Sequence, residues 1–230
     1  MFASRSCAPR VRPMPTLRGR CGMNRLLLAS AMAVTGSAAL AAGHDGPVRI
    51  GVIMGFTGPI ESLTPHMAGS AEMALAEINA AGGLPGGRML EPVRGDSTCL
   101  DNAAATAAAE RLITEDGVAA IVGADCSGVT GAVLANAAVP NGIPMISPSA
   151  VSPGLSEIDD RGLFFRTVAS SGREGAVLAG ILAEKGIGEV VVTYTNSDYG
   201  KGLADAFEAA FVAAGGTVTL NEAHEDGKAD

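Results

Sequence analysis

From Val48 onward, short β-rich apolar runs alternate with longer stretches in which apolar residues recur every three or four positions. The first run, Val48 to Met54, predicts a strand. After Thr57-Gly58-Pro59 a helix is predicted from about Pro65 to Ala81, because Met67, Ala71, Ala74, Leu75 and Ile78 share one face. Gly82-Gly83-Leu84-Pro85-Gly86-Gly87 stops that helix, and a second strand follows over about Met89 to Gly95. Asp101 can cap a helix reaching Glu115, where the alanine-rich run Ala103 to Ala109 supplies high helix propensity. A third strand (Ala119 to Val122), a third helix (about Val129 to Ala137) and a brief fourth strand (Pro144 to Ile146) complete the series. This alternation predicts an α/β fold, a doubly wound parallel sheet with helices on both faces.

The pattern changes at Ser147 to Asp160, a loop rich in Ser, Pro, Gly and Asp that leads to a short apolar stretch at Phe164 and Phe165. The chain is expected to cross there into a second domain, which makes 42–166 an N-terminal lobe and 167–230 part of a C-terminal one. Alternation then resumes with a helix over about Gly172 to Glu184, a strand Glu189 to Tyr194, a helix over about Tyr199 to Ala214, a Gly215-Gly216 stop and a strand Thr217 to Leu220. Roughly 60 residues with two strands bury too little surface to stand alone. The second lobe is therefore expected to be truncated after the polar segment His224 to Asp230, and 42–230 by itself is expected to bind poorly.

Residues 1–41 differ from everything after them. They hold six arginines (Arg5, Arg10, Arg12, Arg18, Arg20, Arg25) and no acidic residue. Arg25 precedes the apolar run Leu26 to Val34, and small residues end at Ala39-Leu40-Ala41. That order is a secretory signal peptide with cleavage after Ala41 or Ala42, its run too short to span a bilayer. Met23 alone would open a signal of ordinary length, so Met1 to Gly22 is either a mis-assigned upstream start or an extended charged region. Of the 16 basic and 24 acidic residues, the leader takes six basic ones, so the exported portion is strongly acidic. A nucleic-acid partner is disfavoured, since that affinity needs clustered Lys and Arg.

Four cysteines are present, but Cys7 and Cys21 lie in or before the leader. Cys99 and Cys126 remain as the pair that would meet an oxidising compartment, where a disulfide is expected; two buried free thiols are the alternative.

Catalytic signatures are missing from the sequence. No G-x-G-x-x-G, G-x-x-x-x-G-K-[ST] or G-x-S-x-G occurs where strand–helix junctions would use it. His44, His66 and His224 have no metal-ligand spacing, and His66 reads as a solvated or capping residue. No enzyme, metal or cofactor is expected. What remains is small polar groups at the carboxyl ends of strands, where open α/β sheets bind ligands. Gly123-Ala124-Asp125-Cys126-Ser127-Gly128 runs into a helix, and Ser147-Pro148-Ser149-Ala150-Val151-Ser152 forms a second cluster of hydroxyls. A hydroxyl and N–H groups at a helix start suit a carboxylate, although any one Ser can equally be an ordinary cap or turn former.

These residues carry a resemblance to the type I periplasmic binding proteins of the leucine/isoleucine/valine-binding family. The matching features are Ile50-Gly51-Val52 with Thr57-Gly58-Pro59, Glu77-Ile78-Asn79-Ala80-Ala81-Gly82-Gly83, Cys99 with Cys126-Ser127, Ile143 to Ala150, Phe165-Arg166-Thr167 and Asp198-Tyr199-Gly200. The series runs in order from Val48 to Asp230. The resemblance implies two doubly wound lobes joined by a hinge, and a receptor that hands its ligand to a membrane permease of the ATP-binding cassette class. It implies that Ser127 and neighbouring N–H groups hold an α-carboxylate, that Ser149 and Ala150 offer backbone groups to the carboxylate and ammonium, and that Tyr199 closes over the ligand from the second lobe. Val151 stands where the family presents a hydroxyl, with Ser152 adjacent, and Leu63 replaces an aromatic that lines the side-chain pocket. The expected ligand is a branched-chain or related amino acid, or a small amide or carboxylate. A sensing domain of the same fold is the first rival and an exported α/β enzyme the second.

Overall fold

The computed structural model describes residues 46–225; the predicted signal peptide at 1–41 lies outside the described residues. Strand β1 (Val48–Met54) is an inner strand of the first sheet, parallel to β2 (Leu90–Asp96) on one side and β3 (Ala120–Gly123) on the other. Beyond β3 come β4 (Met145–Ser147) and β5 (Phe164–Arg166), also parallel, in the order β2-β1-β3-β4-β5. The period-two alternation of the strands divides the core. Ile53 and Ile121 face α2 (Asn102–Thr114) and α3 (Ser127–Val133), whereas Val52, Met54 and Val122 face Ala68 and Met67 of α1 (Thr64–Ala80). Both faces are thus covered, as a parallel sheet requires.

Local chemistry explains the helix starts. The Asp101 carboxylate accepts from the N–H groups of Ala103 (2.9 Å) and Ala104 (3.0 Å), so α2 begins where its capping residue predicts. The loop between β1 and α1 is tied to β2 through Asp96, which accepts from the Thr57 hydroxyl at 2.7 Å and the Thr98 N–H at 2.9 Å. Burial pushes the Asp96 carboxyl up, but the hydrogen bonds from Thr57 and Thr98 outweigh it and hold the group below its ordinary value. Arg94 of β2 forms a bidentate pair with Glu72 of α1 (2.6 and 2.9 Å) and lies over the Phe56 ring at 5.1 Å.

Three elements differ from the sequence reading. The third helix is longer than the predicted span from Val129 to Ala137. It starts at Ser127, passes through a π-turn (Leu134–Ala138) and ends in α4 (Val139–Asn141). Pro140 lacks an N–H, and the wider π-turn beside it lets the chain continue where an α-helix would break. Gly142, at φ 67°, then supplies the left-handed stop. The apolar stretch at Phe164 is a fifth strand, three residues long. The last strand, β7 (Thr217–His224), extends past Leu220 because its polar residues still pair with β6 (Glu189–Thr195).

Beyond β5, helices α5 (Ser171–Glu184) and α6 (Asp198–Ala213) pack on the parallel pair β6-β7. Their core is Ala179, Phe207 and Phe211 against Val190, Val192 and Val218, and the two Phe rings stack at 5.4 Å. Where α5 meets α6, a Cβ on Gly175 would lie 2.6 Å from the Phe207 nitrogen, so only glycine permits this crossing.

Candidate functional site

The carboxyl edges of β1, β2 and β3 converge on one buried carboxylate. At the end of β3, Gly123 turns at φ 128°, and a Cβ there would lie 1.9 Å from the Ile53 carbonyl oxygen. This glycine lets the chain double back and bury Asp125, which is 3% exposed. Its carboxylate accepts from the Gly55 N–H (2.9 Å), the Ser97 hydroxyl (3.1 Å) and the Cys126 N–H (3.0 Å), joining the loops after three strands. The next residue is bonded to Cys99, with Cα atoms 5.2 Å apart across 27 residues, so the expected disulfide forms. Sequence reading passed over Asp125 as a role-bearing residue. Its signal was an acidic residue directly after a buried strand, with only small neighbours and no basic partner.

The two serine-bearing loops are laced to each other. The Ser147 hydroxyl donates to the Ala124 carbonyl, the Ser149 hydroxyl donates to the Asp125 carbonyl at 3.0 Å, and the Ser152 N–H donates to Ser127 Oγ at 3.1 Å. The Ala150 N–H donates to Ser147 Oγ at 3.0 Å. From the crossing segment, Arg166 donates to the carbonyls of Ser152 (2.9 Å) and Ala150 (3.4 Å), and Ser171 donates its N–H (2.9 Å) and hydroxyl (3.2 Å) to that of Val151. Cys126 gives α3 no side-chain cap, which leaves the first N–H groups of that helix free of a side-chain acceptor.

A cleft of about 600 Å³ opens beside this weave. On one side stand Ser127, Ser152, Leu155 and Ile158; on the other is α6, with Asp198, Lys201, Gly202 and Asp205. Hydroxyls therefore face a helix bearing two carboxylates and one ammonium, and that ammonium is paired with Asp205 at 2.6 Å. Such a cleft can take a small polar molecule with an anionic and a cationic end, its apolar part against Leu155 and Ile158.

Of the residues predicted for the site, Ser127 and Ser152 line this cleft. Ser149 and buried Ala150 lie in the adjoining loop and are hydrogen-bonded into it. Val151 is half-buried, and its carbonyl is taken by Ser171. Tyr199 is 44% exposed in the first turn of α6, and Leu63 is 59% exposed at the N-cap position of α1. Neither lines the cleft in this conformation. Among the described residues, no group of three or more His, Cys, Asp or Glu is placed to hold a metal ion.

Three comparisons bear on this geometry. The family model described as "Periplasmic binding protein" matches residues 47–230. A Leu/Ile/Val-binding protein homolog of Brucella melitensis is 35% identical over 216 residues, which are 89% of this chain and 53% of the relative. The leucine-, isoleucine-, valine-, threonine- and alanine-binding protein of Pseudomonas aeruginosa is 32% identical, with 93% and 55% covered. Among solved structures, the branched-chain amino acid transporter substrate binding protein of Streptococcus pneumoniae in complex with isoleucine superposes with a TM-score of 0.69. It is 31% identical and covers 80% of this chain and 51% of its own. The chain spans about half the length of the relatives it matches.

Proposed function

This chain belongs to the periplasmic binding protein family, matched over residues 47–230, and from that premise we propose that it captures a branched-chain or related amino acid, or a small amide or carboxylate, for an ATP-binding cassette transporter. It works in the periplasm, exported by the leader at 1–41, and passes its ligand to a membrane permease. The 42–166 lobe offers the first half of the site, and the lobe beginning at residue 167 shuts over it by hinge motion. Binding energy drives closure rather than bond chemistry, so neither catalysis nor a cofactor enters the reading.

The observation that carries this reading is the lacing of the Ser127 loop to the Ser149–Ser152 loop at one sheet edge, facing α6 across a cleft. A ligand carboxylate would take the Ser127 hydroxyl and the first N–H groups of α3, and Ser149 and Ala150 would turn backbone groups to the carboxylate and ammonium. Ser152 lines the cleft and can supply the hydroxyl that Val151 lacks. Tyr199 would fold over the ligand as α6 advances, and Leu63 would border the side-chain pocket. The names of the relatives, which refer to leucine, isoleucine and valine, support the choice of ligand class.

Calorimetry on the full-length mature protein should show one-to-one binding of leucine, isoleucine, valine or a related small carboxylate. Ser127→Ala should weaken that binding roughly ten- to a hundredfold, the value of a hydrogen bond to a charged group. Silence across a broad panel of amino acids, amides and aromatic acids would overturn the proposal.

A further inference from the structure

One side of α6 faces the Ser127 and Ser152–Leu155 segments through Asp198, Gly202, Asp205 and Ala206, since Gly202 is four residues after Asp198, and Asp205 and Ala206 are three and four after Gly202. At its first turn, Asp198 Oδ2 stands 3.5 Å from the point a Cβ on Gly128 would occupy. One turn later the helix backbone itself makes the approach. A Cβ on Gly202 would lie 2.9 Å from Pro153 Cδ and 3.0 Å from Ser152 Oγ. Ser152 Oγ turns about a single torsion, but the Pro153 carbon cannot move independently of the backbone. Pro153 Cδ belongs to a ring closed on the backbone that opens the 3-10 turn (Pro153–Ser156). Ser152 is 6% exposed, with its N–H on Ser127 Oγ and its carbonyl on Arg166. Gly202 also sits inside a regular helix at ordinary φ, where alanine is the better residue by intrinsic propensity. The local backbone has no need of glycine at 202; the approach to Ser152 and Pro153 does.

We propose that Gly202 is a positioning residue of the cleft, and that its missing side chain lets α6 seat on Ser152-Pro153 and so sets how near the second lobe comes to the first when ligand is held. The idea rests on the binding reading above. A methyl group at 202 acts as a wedge. Because Tyr199 rides on the same helix three residues earlier, the wedge holds the tyrosine back from Ser127 as well.

The test uses the full-length mature protein with leucine as the probe. Gly202→Ala should leave the ligand-free denaturation midpoint unchanged or raised, because alanine favours the helix and the two lobes can part at 202 to relieve the methyl contact without unfolding either. Leucine affinity should nevertheless fall at least tenfold, mainly through faster dissociation. Adding Pro153→Ala to that variant removes the ring carbon the methyl meets, and should recover several-fold of the loss. Undiminished affinity in Gly202→Ala overturns the proposal. So does an affinity loss that tracks a loss of stability and is not relieved by Pro153→Ala. A ligand-free arm keeps this idea distinct from the choice of ligand. Spin labels at exposed Glu110 and Lys185 should report a longer mean separation in Gly202→Ala than in the parent, whether or not leucine binds, and an unchanged separation overturns the proposal.

Discussion

Replacing Asp125 by alanine is expected to destabilise the folded protein by about 3–5 kcal/mol, the largest effect of any single side chain at the sheet edge. The carboxylate is 3% exposed and accepts three hydrogen bonds, from the Gly55 N–H, the Ser97 hydroxyl and the Cys126 N–H. Gly55 and Ser97 are themselves buried, so truncation leaves donors without acceptors at the junction of three strand ends. Asp125→Asn separates the contributions. Its amide oxygen can still serve Ser97 and Cys126, but its NH2 group would face the Gly55 N–H, donor against donor, at a cost of about 1–3 kcal/mol. Urea denaturation of the two variants against the parent measures both values. An alanine variant within about 1 kcal/mol of the parent would show that the three contacts do not act as a clamp.

Loss of the Cys99–Cys126 bond is expected to cost about 3.5 kcal/mol. That figure is the loop-closure entropy for a separation of 27 residues. The bond joins the turn after β2 to the residue that opens α3, immediately before Ser127. Thr98 and Cys99 hold left-handed backbone angles (φ 56° and 70°) in that turn, a conformation uncommon for non-glycine residues. Reduction should therefore loosen the Ser127 loop as well as lower global stability. Denaturation with and without reductant, and of the double Cys→Ser variant, checks the first effect. Ligand affinity under the same conditions checks the second. Coincident denaturation curves with and without reductant would contradict the expectation.

Much of this architecture is legible from residue order alone, and the reasons differ from element to element. β1 is read because its apolar run is long and bounded, and α2 because Asp101 and an alanine-rich run mark its start and body. β5 is hard to read because three residues carry no period; it becomes a strand only through pairing with β4. The π-turn before Pro140 is not legible because Pro normally signals an end, and the compensation depends on packing. At the site, the two serine loops stand out by composition, since small polar residues crowd the ends of predicted strands. The partner of each hydroxyl is fixed by the register of β3 against β4, which pairs Ile121 with Met145 and Val122 with Ile146. That register brings Ser147 to Ala124 and Ser149 to Asp125, and no local pattern encodes it. Asp125 and Gly202 share this dependence, because each acts through neighbours distant in sequence.

The most direct measurement of the central claim is residue-resolved amide mapping of the full-length mature protein during titration with leucine and, separately, with other members of the ligand panel. Amides of Ser127, Ser149, Ala150 and Ser152 should shift together with those around Tyr199, all fitted by one dissociation constant, because the two loops and α6 enclose a single ligand. Shifts confined to one loop, or different constants for the two loops, would contradict a shared site at this sheet edge.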